Sequence, residues 1–208
     1  MSSLVQIPPP PVKLSGLSID QTRGIQAVWA LIATEATLFA CMFGAYYYLG
    51  TNKDRWATQE PPHLVYPFVL LAILLSSSAV LHWGELQVQK ERYRAGRIAL
   101  WFTVLLGLSF LVLQGFEYAS EWGELTPDTN SYGSIFYTIT TLHAAHVIVG
   151  VLILMYVGFQ PHYGFARRTP HMPYQVASRY WHFVDAVWVV VVSLLYVIPN
   201  IQRYYHVH

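Results

Sequence analysis

Five apolar runs, each long enough to cross a bilayer, take up most of the chain, at 25–50, 66–83, 98–119, 134–159 and 180–199. A spanning helix needs about 20 such residues, with a range of roughly 17–25, and the second run lies near the short end. Runs this long without paired turn signals favour helices over the alternating strands of a membrane barrel. Only 11% of the residues are charged, against about 25% in soluble domains. The sequence therefore predicts an all-α fold, an integral membrane bundle of five transmembrane helices over 25–208. Residues 1–24 read as an extended tail, with four consecutive prolines at 8–11.

Five crossings put the two ends on opposite sides. Lys13, Arg23, Lys90, Arg92, Arg94, Arg97, Arg167, Arg168 and Arg179 fall on the side of the N-terminus, and only Lys53, Arg55 and Arg203 on the other. The positive-inside rule predicts a cytoplasmic N-terminus and an outside C-terminus. The single cysteine, Cys41, lies within the first run. One cysteine cannot close an intrachain disulfide, nor hold an iron–sulfur cluster or a thiolate-bridged copper centre by itself.

Each run also carries polar groups at helical spacing. Glu35 lies about ten residues into the first. Ser78, His82 and Glu85 follow one another on the second, Gln114, Glu117 and Glu121 on the third, and His143, His146 and Gly150 on the fourth. His182 and Asp185 share a face of the fifth. Residues three, four and seven apart point the same way on a helix. An ionisable group in a bilayer costs roughly 2.5–3.5 kcal/mol on insertion scales unless it is paired, so these stripes are expected to face protein.

Four readings of this seam are open. Buried polar groups can bond across helices for about 1 kcal/mol each. His143 and His146 could hold a metal with Glu35 or Glu117, but no span carries the Glu-x-x-His pairs of di-iron bundles. No span carries two histidines spaced for bis-histidine haems at two depths. Intramembrane acids also serve proton relays, and Glu35 is the candidate here. Small residues at Gly44, Ala45, Ser76 to Ser78, Ala144, Ala145 and Gly150 would allow close helix approach. Arg23, Trp83, Lys90, Arg94, Arg97, Arg179 and Trp181 are candidates to meet lipid head groups at the cytoplasmic rim.

The segment YWHFVDAVW at 180–188 resembles the signature of subunit III of the haem–copper respiratory oxidases. Further segments resemble that family in the same order: LIATEATLFACMFGAYY at 31–47, LLSSSAVLHWGE at 74–85, LVLQGFEY at 111–118, YGSIFY at 132–137 and TTLHAAHVIVG at 140–150. The first of these places the family's buried acid on Glu35. Many members have two helices before the one with the acid; this chain lacks them and is similar to the five-helix bacterial members.

The resemblance implies an accessory subunit of a bacterial plasma-membrane oxidase, passing electrons from cytochrome c to oxygen. It would have no catalytic residue and hold no redox cofactor or metal. Haem and copper would sit in partner subunits. It would pack directly on subunit I, share the complex with subunit II and other respiratory subunits, and bind phospholipids but no nucleic acid. It would sustain proton uptake. His182 and Asp185 would then belong to an interhelical network, with Glu117, His143 and His146 as candidate partners, and Glu35 would face subunit I. A quinol oxidase or a nitric-oxide-reductase-associated homologue is the alternative within the fold. A stand-alone membrane metalloenzyme and a transporter are alternatives of a different class.

Overall fold

A computed structural model describes residues 19–51, 64–122, 126–128, 130–159 and 172–201. The described residues form α1 (Ile19–Gly50), α2 (Val65–Gln89), α3 (Tyr93–Glu121), α4 (Ser131–Phe159) and α5 (Met172–Val192), with no strand among them. The last helix runs on through a π turn, Ser193–Val197, to residue 201. All five are long and apolar enough to cross a membrane.

The helices outrun the apolar stretches that predict them. α5 starts eight residues before the apolar run at 180, and α1 begins at Ile19, inside the stretch read as an extended tail. Hydropathy reports the hydrocarbon thickness, whereas backbone hydrogen bonding continues the helix into the polar rim. Residues 1–18, with the proline run and Lys13, lie outside the described residues. So do Lys53, Arg55, Arg167, Arg168, Arg203 and the side chain of Glu121.

Local sequence explains the helix ends. Pro67 and Pro173 sit in the first turns of α2 and α5, where a missing N–H breaks no internal bond. Asn130 caps α4, its side-chain oxygen accepting from Gly133 N at 2.7 Å. Between α2 and α3 the chain reverses with Glu91 in the left-handed region, φ 59°. Arg92 N closes that turn on Gln87 O at 2.9 Å, a Schellman-type end in which glycine is the usual residue.

The helix order follows from packing. α2 and α3 form the tightest hairpin. α5 packs on α1, α2 and α4, and α4 also touches α1 and α3. Glycines permit the closest approaches. A β-carbon at Gly107 of α3 would lie 2.7 Å from the Trp181 ring and 2.8 Å from Val151, and one at Gly150 of α4 would lie 2.9 Å from the same ring. One at Gly84 would meet Tyr174 and Ala99. Gly44 has open space instead, and no other helix of the described chain approaches it closely. The Trp181 indole is thus clamped between two glycines at the centre of the bundle.

Candidate functional site: an interhelical polar seam

The seam breaks into separate partnerships. On the α2–α5 face, Ser78 Oγ donates to Asp185 Oδ2 and lies 2.7 Å from His182 Nδ1. Serine has one proton, already given to the carboxylate, so His182 Nδ1–H is the donor in the second bond. Towards the α2–α3 turn, Ser178 Oγ donates to Glu85 at 2.9 Å. Trp181 Nε1 donates to Ser77 Oγ at 2.8 Å. His82 is exposed, its ring 6.4 Å from that of His182.

On α3, Gln114 Nε2 donates to Glu117 Oε2 at 2.6 Å, and Tyr196 Oη of the π turn donates to Glu117 Oε1 at 2.9 Å. Both oxygens of this buried acid are therefore bonded. On α4, His146 Nε2 lies 2.8 Å from Glu35 Oε2 of α1, and His146 Nδ1 lies 2.7 Å from Leu142 O. A carbonyl only accepts, so Nδ1 carries a proton, and a single proton lies between Nε2 and the Glu35 oxygen. His143 is fully buried and makes no hydrogen bond among the described residues. Its ring stacks on Trp188 at 4.8 Å, with Phe110 at 5.9 Å.

These partners differ from the candidates that the resemblance implies. His182 and Asp185 bond to Ser78 rather than to Glu117, His143 or His146. Periodicity gives the face of a helix but not its depth, and depth decides which polar groups meet. Glu35, expected to look outward to another subunit, has its partner within the chain, although its side chain remains 25% exposed and that of His146 12%. Trp181 cannot meet a lipid head group: it is fully buried. It reads as a rim residue only if α5 starts near 180; starting at Met172, the helix places it about 13 Å further in. Trp83, Arg23, Lys90, Arg94 and Arg97 are exposed, and Arg179 is half-buried. The π turn and its tyrosine partners have one signal in the sequence, Pro199. Among the described residues no group of three or more His, Cys, Asp or Glu side chains converges as metal ligands would.

Along α5, from Ser178 to Tyr196, the paired groups extend over roughly 27 Å at 1.5 Å per residue, most of a hydrocarbon core about 30 Å thick. Five apolar helices tied to one another by such bonds define a multi-pass membrane bundle whose polar groups mainly serve one another. The chain matches the family model described as cytochrome c oxidase subunit III over residues 19–199. It is 31% identical to cytochrome c oxidase subunit 3 of Thermostichus vulcanus, over 81% of this chain and 84% of that one. It is 35% identical to the Synechocystis subunit over 80% and 72% of the two chains. With the subunit of Alkalihalophilus pseudofirmus it shares 30% identity over 81% and 83%. The chain belongs to the cytochrome c oxidase subunit III family, and so is the subunit III of a haem–copper oxidase complex.

Proposed function

We propose that the chain is the accessory subunit of an oxidase that passes electrons from cytochrome c to oxygen in a bacterial inner membrane. It packs on subunit I, with subunit II in the same complex, and helps sustain proton uptake there. Haem and copper belong to the partner subunits. The N-terminus faces the cytoplasm, in keeping with the basic residues around the α2–α3 turn. The relatives named above are called cytochrome c oxidase subunits, which favours cytochrome c over quinol as the electron donor.

The observation that carries the contact with subunit I is the half-open Glu35–His146 pair. It lies near the middle of α1 and α4, at the depth of the hydrocarbon core. A polar pair there is costly against lipid tails, and a neighbouring protein would cover it. Leu31 and Leu38 flank Glu35 on the same face of α1, and both are exposed. A photoreactive residue at position 38 should therefore cross-link to subunit I in native membranes. Cross-links to lipid alone would overturn the proposal. Exposed Arg23, Lys90, Arg94 and Arg97, with Trp83 at the same rim, would take phospholipid head groups.

A further inference from the structure

The hydrogen bonds of the seam stop short of one another where α3, α4 and α5 meet. On one side of it stands the Ser78–Asp185 bond, on the other the Gln114–Glu117–Tyr196 cluster. Between them, five buried polar atoms have no hydrogen-bond partner among the described residues: Asp185 Oδ1, Trp188 Nε1, His143 Nδ1, His143 Nε2 and Gln114 Oε1. Ring contacts and helix spacing link the residues that carry them. Asp185 and Trp188 lie three residues apart on one face of α5. Trp188 stacks on His143, and the Phe110 ring touches both, at 5.1 Å and 5.9 Å. Gln114 lies one turn beyond Phe110 on the same face of α3.

Buried polar groups in native proteins are nearly always bonded, to protein or to ordered water. The chemistry of this set selects water. Asp185 Oδ1 and Gln114 Oε1 accept, and Trp188 Nε1–H donates. A neutral imidazole adds one donor and one acceptor, making three acceptors and two donors in all. A cation is disfavoured by the two donors, and an apolar guest would satisfy none of the five. The imidazole nitrogens point apart, so one water cannot serve both. Two waters bonded to each other keep three protons and three lone pairs. The protons match the three acceptors, and the lone pairs exceed the two donors by one.

We propose that these five atoms form an internal site for two bound waters. The waters join the two halves of the seam into one hydrogen-bonded thread from His182 to Tyr196. In this thread His143 is a water ligand rather than a packing residue, which explains an imidazole where phenylalanine would stack equally well.

A structure of the assembled oxidase at a resolution that shows ordered water tests the site. Two density peaks are expected, within hydrogen-bond distance of these atoms and of each other; fewer than two overturn the proposal. His143→Phe keeps the stack on Trp188 and removes both ring nitrogens. In that variant at least one peak should be lost, and the subunit should leave the complex at a lower temperature. Unchanged peaks, or a complex as heat-stable as the wild type or more so, would also overturn it. Should the variant fail to assemble, the wild-type map decides alone.

Discussion

Tyr132 Oη donates to the carbonyl oxygen of Leu195 at 2.7 Å, and that carbonyl is the one Pro199 cannot bond. Pro199 has no N–H to return to the residue four back. One residue earlier, Ile198 N–H reaches Ser193 O, five back, so Leu194 O also loses its usual partner. Tyr46 Oη of α1 donates to that carbonyl at 2.9 Å. Two consecutive freed carbonyls in a π turn are thus capped by tyrosines from two other helices, which tie α1 and α4 to the end of α5. A π turn inside an α-helix often marks a constrained position. Here it also aims Tyr196 at Glu117.

We predict that Tyr132→Phe destabilises the subunit by about 1 kcal/mol, the net worth of a typical hydrogen bond, or more because a buried acceptor is stranded. Pro199→Ala supplies an N–H for the same carbonyl and should offset part of that loss. A double-mutant cycle on thermal release of the subunit from the complex measures this coupling. Strict additivity of the two changes would contradict the account of the π turn.

Ser78 holds both His182 and Asp185. We predict that Ser78→Ala weakens assembly about as much as Asp185→Ala, since each leaves buried polar atoms unmet at about 1–3 kcal/mol. His182→Ala should be milder, because that side chain is only half-buried. The measurement is retention of this subunit in the purified complex, beside oxygen reduction by whatever assembles. A fully assembled Asp185→Ala complex with no turnover would point to a direct catalytic role instead.

The Trp181 clamp gives a prediction about packing. Gly107→Ala places a methyl group 2.7 Å from the indole and 2.8 Å from Val151. Overpacking of this kind costs about 1–3 kcal/mol. Trp181→Phe removes the benzo edge that the methyl strikes, so it should partly rescue Gly107→Ala, although it also loses the bond to Ser77. Heat-release temperatures of the two single variants and the double variant check this. Full tolerance of Gly107→Ala would mean that the helices separate more readily than the close contacts imply.

Much of the architecture is legible in the sequence, because five long apolar runs leave few alternatives in a bilayer. The polar stripes are legible too, as faces. Their pairings are not. Glu35 and His146 are 111 residues apart, and Ser78 and Asp185 107 apart, and nothing local encodes which depth on one helix meets which on another. Trp181 shows how a boundary error propagates: an onset of α5 placed eight residues late turns a central core residue into a rim anchor. Gly107 is not legible as a packing position, because a lone glycine in an apolar run carries no signal until its neighbour across the interface is known.

The last prediction concerns the proton between Glu35 and His146. His146 Nδ1–H is committed to Leu142 O, so the ring is oriented and its Nε2 faces the carboxyl group. The shared proton can rest on either atom, giving a neutral pair or an ion pair without any change of partners. Such a site can pass a proton on if a neighbouring subunit presents an acceptor, and it can equally be a lock between α1 and α4. Glu35→Gln separates the two roles. The amide can still donate to His146 Nε2, so the helices stay tied and the complex is expected to assemble normally, but the residue no longer carries a transferable proton. Glu35→Ala removes the bond as well, leaves the mostly buried His146 Nε2 without its partner at a cost of about 1 kcal/mol or more, and should loosen the subunit. We predict slowed proton uptake in the fully assembled Glu35→Gln complex, measured in reconstituted vesicles beside turnover and inactivation rate. If all three rates match the wild type while Glu35→Ala still weakens assembly, the pair is a lock and no relay.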